Sequence, residues 1–234
     1  MSVTCEQHEL PNGLRIIAEV DPNADTAAAG FFVNSGARDE PAEHMGVSHF
    51  LEHMVFKGTD TRDAEGFDKA FDELGLHHNA WTSHEITAFH ANGLPDVLPN
   101  AISLLAELLR PALRPDDLDD ERQVILEEIA MYEDQPFWQL WEQLSGKYYG
   151  SHPMGHRVLG TPDTVNAITP EVMQQWHHDR YGADNMVLAA AGRIDFAQLV
   201  THVTNLCGQW DRTGATRTPL PLTHADCEFS ISSD

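Results

Sequence analysis

The run from Gly46 to Lys57 constrains this chain more than any other stretch. Val47, Phe50, Leu51, Met54, Val55 and Phe56 recur with helical spacing, and Gly58 follows as a stop. A helix this apolar does not lie solvated on a surface. Yet it carries His49, Glu52 and His53, in the pattern H-x-x-E-H. In a helix His49 and His53 stand one turn apart on one face, and Glu52 borders that face. Burying two imidazoles and a carboxylate requires a compensating partner.

Two neutral imidazoles at this spacing can grip one Zn²⁺, and Glu52 can reach a water on the metal. The pattern is one of the zinc peptidase motifs, the inverse of H-E-x-x-H. The plain alternative is a helix with two surface histidines and a solvated glutamate. A chelating protein is a further alternative, because the chain has 14 histidines, but His8, His44, His90 and His224 are dispersed.

Composition narrows the field. A chain of 234 residues forms one large domain or two small ones, and its 41% hydrophobic content is ordinary for a globular fold. The net charge of −23 excludes nucleic acid as an expected partner, since phosphate would be repelled. A solvated acidic surface accounts for that charge, and an acidic cleft for basic peptides is the sharper alternative. Met1 to Pro11 lacks the basic start and apolar core of a signal peptide. No run of about 18 apolar residues suggests a membrane span. Cys5, Cys207 and Cys227 are few, odd in number and widely spaced, which suggests a reducing compartment and no metal motif. A cytoplasmic location is the expectation.

Along the chain, Leu14–Val20 and Thr26–Asn34 read as strands, and His77–Leu94 as two strands or one bent strand. Helices are expected over Ala64–Leu74, Pro95–Leu109, Asp116–Asp134 and Pro136–Tyr149. Another runs from an N-cap at Thr169 to Arg180, and the last starts at Asp195. Gly150–Thr161 reads as a loop, and Met186–Ala191 as a strand. Thr213–Leu222, with Pro219 and Pro221, reads as a linker, and Asp226–Ser233 starts something β-like. The mixed order of strands and helices predicts an α+β fold, a mostly antiparallel sheet packed with helices.

A catalytic zinc site needs a third ligand. In Asp116–Asp134 the apolar stripe is Leu118, Ile125, Ile129 and Tyr132. Glu128 points with that stripe, Glu121 lies two turns before it, and Glu127 faces the opposite side. Periodicity leaves two readings of Glu128, a ligand or a rim glutamate paired with Arg114 or Arg122.

Together these segments resemble the pitrilysin-like zinc peptidases, which include insulysin and the mitochondrial processing peptidase. Gly46–Thr59 looks like that family's motif helix, Asn79–Ser83 like its substrate-binding edge strand, and Glu121–Asp134 like the segment of the third ligand. Gly155–Thr161 and Asn185–Gly192 resemble later family blocks. The resemblance implies a Zn²⁺ cofactor on His49, His53 and Glu128, with Glu52 as general base. It implies Glu121 as a supporting carboxylate outside the metal's own ligands. It also implies that Asn79 and Ala80 hold the peptide substrate as an added strand. Residues 1–212 would form the zinc-binding peptidase domain, and 213–234 a linker and the start of a second domain. In the family a homologous second domain supplies an Arg and a Tyr near the scissile bond, and that half lies outside this chain. The expected activity is metalloendopeptidase. The alternative is a non-catalytic or partner-dependent subunit completed by a homologous domain or subunit.

Overall fold

A six-stranded mixed sheet organises the fold in a computed structural model that describes residues 2–217, 219 and 221. The chain enters through β1 (Thr4–Glu9) and β2 (Arg15–Val20), an antiparallel pair turned at Asn12-Gly13, and then forms β3 (Ala27–Val33). Helices α1 (Val47–Val55) and α2 (Ala64–Glu73) precede the hairpin β4 (His77–Thr82) and β5 (Thr87–Gly93). Next come α3 (Leu98–Leu108), α4 (Pro115–Glu133), α5 (Pro136–Tyr149), α6 (Pro162–Ala167) and α7 (Pro170–Arg180). Strand β6 (Met186–Gly192) and helix α8 (Phe196–Cys207) complete the described elements.

The strand order is β1-β2-β6-β3-β5-β4. Only β2 and β6 pair in parallel, so the sheet is mostly antiparallel and the fold is α+β. Strand β6, from the far end of the sequence, lies between β2 and β3.

Period-two alternation decides which sheet face is covered. Ile16 and Ala18 of β2, Phe31 and Val33 of β3, and Met186 and Leu188 of β6 are buried, while Arg15 and Ile17 meet solvent. On α1, Val47, Phe50, Leu51, Met54 and Val55 have no solvent exposure. Burial of each such side chain contributes about 1.5–3 kcal/mol relative to leaving it in water. The sequence reading missed two elements. In β1, TCEQHE, all six residues are exposed, so no apolar alternation marks it. Helix α6 is a short segment capped by Thr161 just beyond the expected loop.

Strand β4 forms one edge of the sheet. His78, Ala80 and Thr82 are half-buried, and His77, Asn79 and Trp81 are exposed. At the other end of the described chain, the carboxylate of Asp184 accepts the N–H groups of Thr213 and Gly214 at 2.9 and 3.0 Å. Arg217 pairs with Asp39. The first residues of the expected linker are thus tied to the body. Most of the rest of it, and the β-like run Asp226–Ser233, lie outside the described residues. Among the described residues no helix is long and apolar enough to cross a membrane.

Candidate active site

Helix α1 begins without a side-chain cap from its own N-cap residue, Gly46, which sits at φ 95°. A Cβ there would lie 2.6 Å from the carbonyl oxygen of Leu159, so the position requires glycine on two counts. The N–H groups of Gly46 and Ser48 donate instead to the carboxyl of Glu40, at 2.7 and 2.8 Å. Glu40 is buried, and burial pushes its carboxyl up to about 8, against the opposing effect of those two bonds. The first turn of α1 is therefore fixed from the preceding loop.

From that start α1 presents His49, Glu52 and His53 toward α4. Helix α4 buries Leu118, Glu121, Ile125 and Ile129, leaves Glu128 half-buried at the margin of that face, and exposes Glu127. Both imidazoles turn Nε2 toward one oxygen. His49 Nε2 and His53 Nε2 each lie 3.6 Å from Glu128 Oε2. The ligand atoms of the three residues lie within 4.8 Å of one another, the one such group among the described residues. Two ligands about 2.0–2.1 Å from a tetrahedral ion stand roughly 3.3 Å apart, so the spacing fits a small cation with little adjustment. Neither Arg114 nor Arg122 pairs with Glu128. Arg114 reaches Asp117 and the carbonyls of Lys57 and Thr59, and Arg122 reaches Asp119 and the carbonyls of Val165 and Ile168.

The surroundings set the protonation states. Burial, followed by the charge of His53, lowers the His49 imidazole to about 3, which keeps it in the neutral form that binds metal. His53 Nδ1 lies 2.7 Å from Glu121 Oε1. That bond fixes the ring so that Nε2 faces Glu128, as second partners of metal-bound histidines commonly do. Burial acts to lower His53, but Glu121, Glu128 and Glu52 outweigh it and the imidazole is raised. Burial acts to raise Glu121, yet hydrogen bonds from His53 and Lys57 hold its carboxyl below the usual range. Burial raises Glu128, opposed by the charge of His53. Burial also raises Glu52, whose Oε2 accepts a 2.6 Å hydrogen bond from the Thr82 hydroxyl.

The structure thus gathers His49, His53 and Glu128 at one point, with Glu121 behind His53 and Glu52 beside them. Asn79 and Ala80 lie on the edge strand, and Asn79 Oδ1 accepts the Ala80 N–H at 2.9 Å. The sequence reading overlooked Thr82, Lys57 and Glu40. Thr82 had a legible signal, because strand alternation places it on the same side as Ala80. Two imidazoles, one carboxylate and an adjacent second carboxyl can bind a divalent ion and move a proton next to it.

The profile described as Insulinase (Peptidase family M16) matches residues 15–162, and that of the Peptidase M16 inactive domain matches residues 167–232. The chain is 40% identical over 195 residues to an uncharacterized zinc protease of Mycobacterium tuberculosis, covering 83% of this chain and 44% of that protein. It is 34% identical over 225 residues to the mitochondrial-processing peptidase subunit beta of Saccharomyces cerevisiae, covering 92% of this chain and 48% of that one. The chain spans about half the length of the curated relatives it matches. Its fold is shared with a protease from Helicobacter pylori, at a TM-score of 0.88 and 23% identity over 96% of this chain and 55% of the other. It is shared also with pitrilysin, at a TM-score of 0.84 and 20% identity over 96% of this chain and 24% of the other.

Proposed function

The chain belongs to the insulinase family of peptidases, family M16, and from that premise we propose that it is the zinc-binding part of a metalloendopeptidase. One observation supports this above the others: His49 Nε2 and His53 Nε2 converge on Glu128 Oε2 at 3.6 Å each. Borderline-soft nitrogen and carboxylate donors in a set of three suit Zn²⁺ with a position left open. Zinc bound there supplies a Lewis acid that acidifies water and polarises a peptide carbonyl.

The chain's own residues supply the rest. Strand β4 receives the peptide as an added strand along its outer edge at Asn79 and Ala80, where the peptide takes the place of Asn79 Oδ1 on the Ala80 N–H. Glu52 takes a proton from the attacking water and returns it to the leaving amine. Burial raises its carboxyl toward the range where both transfers are easy, and the Thr82 hydroxyl fixes its orientation. Glu121, paired with Lys57, anchors His53.

The test is Glu52→Gln. The variant binds one zinc as tightly as the wild type and loses hydrolysis of a quenched-fluorescence peptide. Retained hydrolysis would end the proposal. The length of the relatives supports a second reading, in which a homologous domain or subunit must enclose the substrate before this site cuts. Under that reading the chain alone binds zinc and leaves the peptide intact until the other half is added.

A further inference from the structure

Arg217 lies in the stretch that reads as a linker, yet its guanidinium reaches back into the body of the fold. Its Nε donates to Asp39 Oδ1 at 2.8 Å and its Nη2 to Asp39 Oδ2 at 2.5 Å. A two-pronged pair of this kind fixes an angle as well as a distance. The Asp39 side chain is only 4% exposed, so the pair is shielded from the water that weakens surface ion pairs. Nη2 also donates to the carbonyl oxygen of Glu85, at 2.7 Å.

Glu85 belongs to the turn that joins β4 to β5. The loop before α1 grips the same turn. The carbonyls of Ser83 and His84 accept the N–H groups of Ala37 and Arg38 at 3.1 and 2.9 Å, and the Arg38 side chain pairs with Glu85. Asp39 Oδ2 accepts the Gly36 N–H at 3.1 Å, and Gly36 packs against Ser83 with no room for a Cβ. One guanidinium thus closes a ring of contacts between that loop and the hairpin. Thr82, which hydrogen-bonds Glu52, is the last residue before the turn. Ala80 and Asn79 precede it on the same strand.

We propose that Arg217 is a positioning residue. It clamps the β4–β5 turn to the loop before α1, and so holds the peptide-receiving strand, with Thr82, in place against Glu52. The inference rests on the peptidase reading and adds to it a control of the site from the chain beyond α8. The competing reading is that Arg217 only fastens its own segment. That segment is already fastened by Asp184, which accepts the N–H groups of Thr213 and Gly214. Fastening alone does not call for the bond to Glu85.

The experiment follows amide hydrogen exchange in the full zinc-loaded chain. Arg217→Ala speeds exchange about tenfold at the Ala37, Arg38 and Ser83 amides and across the β4–β5 hairpin, and leaves β2 and β6 unchanged. Its zinc affinity equals that of the wild type. Added to Glu52→Gln, it weakens binding of the quenched-fluorescence peptide by about threefold to tenfold. Arg217→Lys, which keeps the charge and a donor, restores part of both effects. Arg212→Ala removes another ion pair of the same segment, to Asp184, and leaves the hairpin as it was. Circular dichroism checks the fold. Asp39→Asn, which keeps an acceptor for Gly36, repeats the measurement if Arg217→Ala is unstable. Hairpin exchange that stays constant, or that rises equally over the whole sheet, overturns the inference. So does a loosened hairpin that binds the peptide as tightly as before. The peptidase reading fails separately. If the Glu52→Gln chain, alone and with its homologous half, binds no peptide while Arg217→Ala still loosens the hairpin, the clamp stands and the peptidase does not.

Discussion

His53 is held from two sides, by Glu121 at Nδ1 and by the space shared with Glu128 at Nε2, and Thr82 does for Glu52 what Glu121 does for His53. In the proposed role of Glu52, taking a proton from one direction and returning it in another, the angle of the carboxylate decides the rate. Thr82→Val keeps the β-branched shape and removes the hydroxyl. It should lower kcat by about tenfold to a hundredfold while KM and zinc affinity change little, and Thr82→Ser should restore most of the loss. A Thr82→Val protein whose KM rises while kcat stays constant would place Thr82 in peptide binding alone. Residue-level geometry was legible where it lies within one helix. Helix phase distinguishes Glu128 from Glu127, and the structure leaves Glu127 exposed and Glu128 beside the histidines. Contacts across long stretches of chain were not legible. Thr82 meets Glu52 thirty positions away and Glu121 meets His53 across 68, separations that no local pattern encodes.

At the scale of elements, apolar periodicity carried most of the reading. Helices α1, α2, α3, α4, α5, α7 and α8 and strands β2 to β6 fall where apolar spacing and caps place them. Strand β1 escaped because an exposed edge strand has no buried side to alternate with. Helix α7 carries a testable property of its own. Burial lowers its His177 to about 4, and the ring lies 3.0 Å from the Leu109 carbonyl, to which a neutral Nε2–H can donate. An unfolded histidine titrates near 6.5, so the unfolded chain takes up the proton first as pH falls. The stability from neutral His177 is complete above about pH 6.5 and is lost progressively as pH falls toward 4, by about 3 kcal/mol in all. His177→Gln keeps a donor for Leu109 and removes the titration. Its urea midpoint should therefore fall less than that of the wild type between pH 7 and pH 4.5. Parallel curves would show that His177 does not carry this sensitivity.

For the whole molecule, the mostly antiparallel α+β class followed from the order of elements, but the sheet order did not. Strand β6 enters between β2 and β3 from about 150 residues downstream, a long-range choice made by packing. Metal binding is itself a whole-molecule property, because the site exists only in the folded chain. At a hundredfold excess over its Kd, zinc should stabilise the fold by about 2.7 kcal/mol and raise Tm by roughly 5–10 °C. A chelator should reverse this, and His49→Ala should abolish it. An equal rise in that variant would locate the ion elsewhere. The free edge of β4 has a further consequence. An edge strand in the proposed peptide-binding role is equally open to the strand of another chain, and HHNAWT contains no acidic, lysine or proline residue to discourage it. Solubility then depends on mutual repulsion between copies that each bear a net charge of −23. Salt, by shortening the reach of that repulsion, leaves the receptive edge unguarded against aggregation.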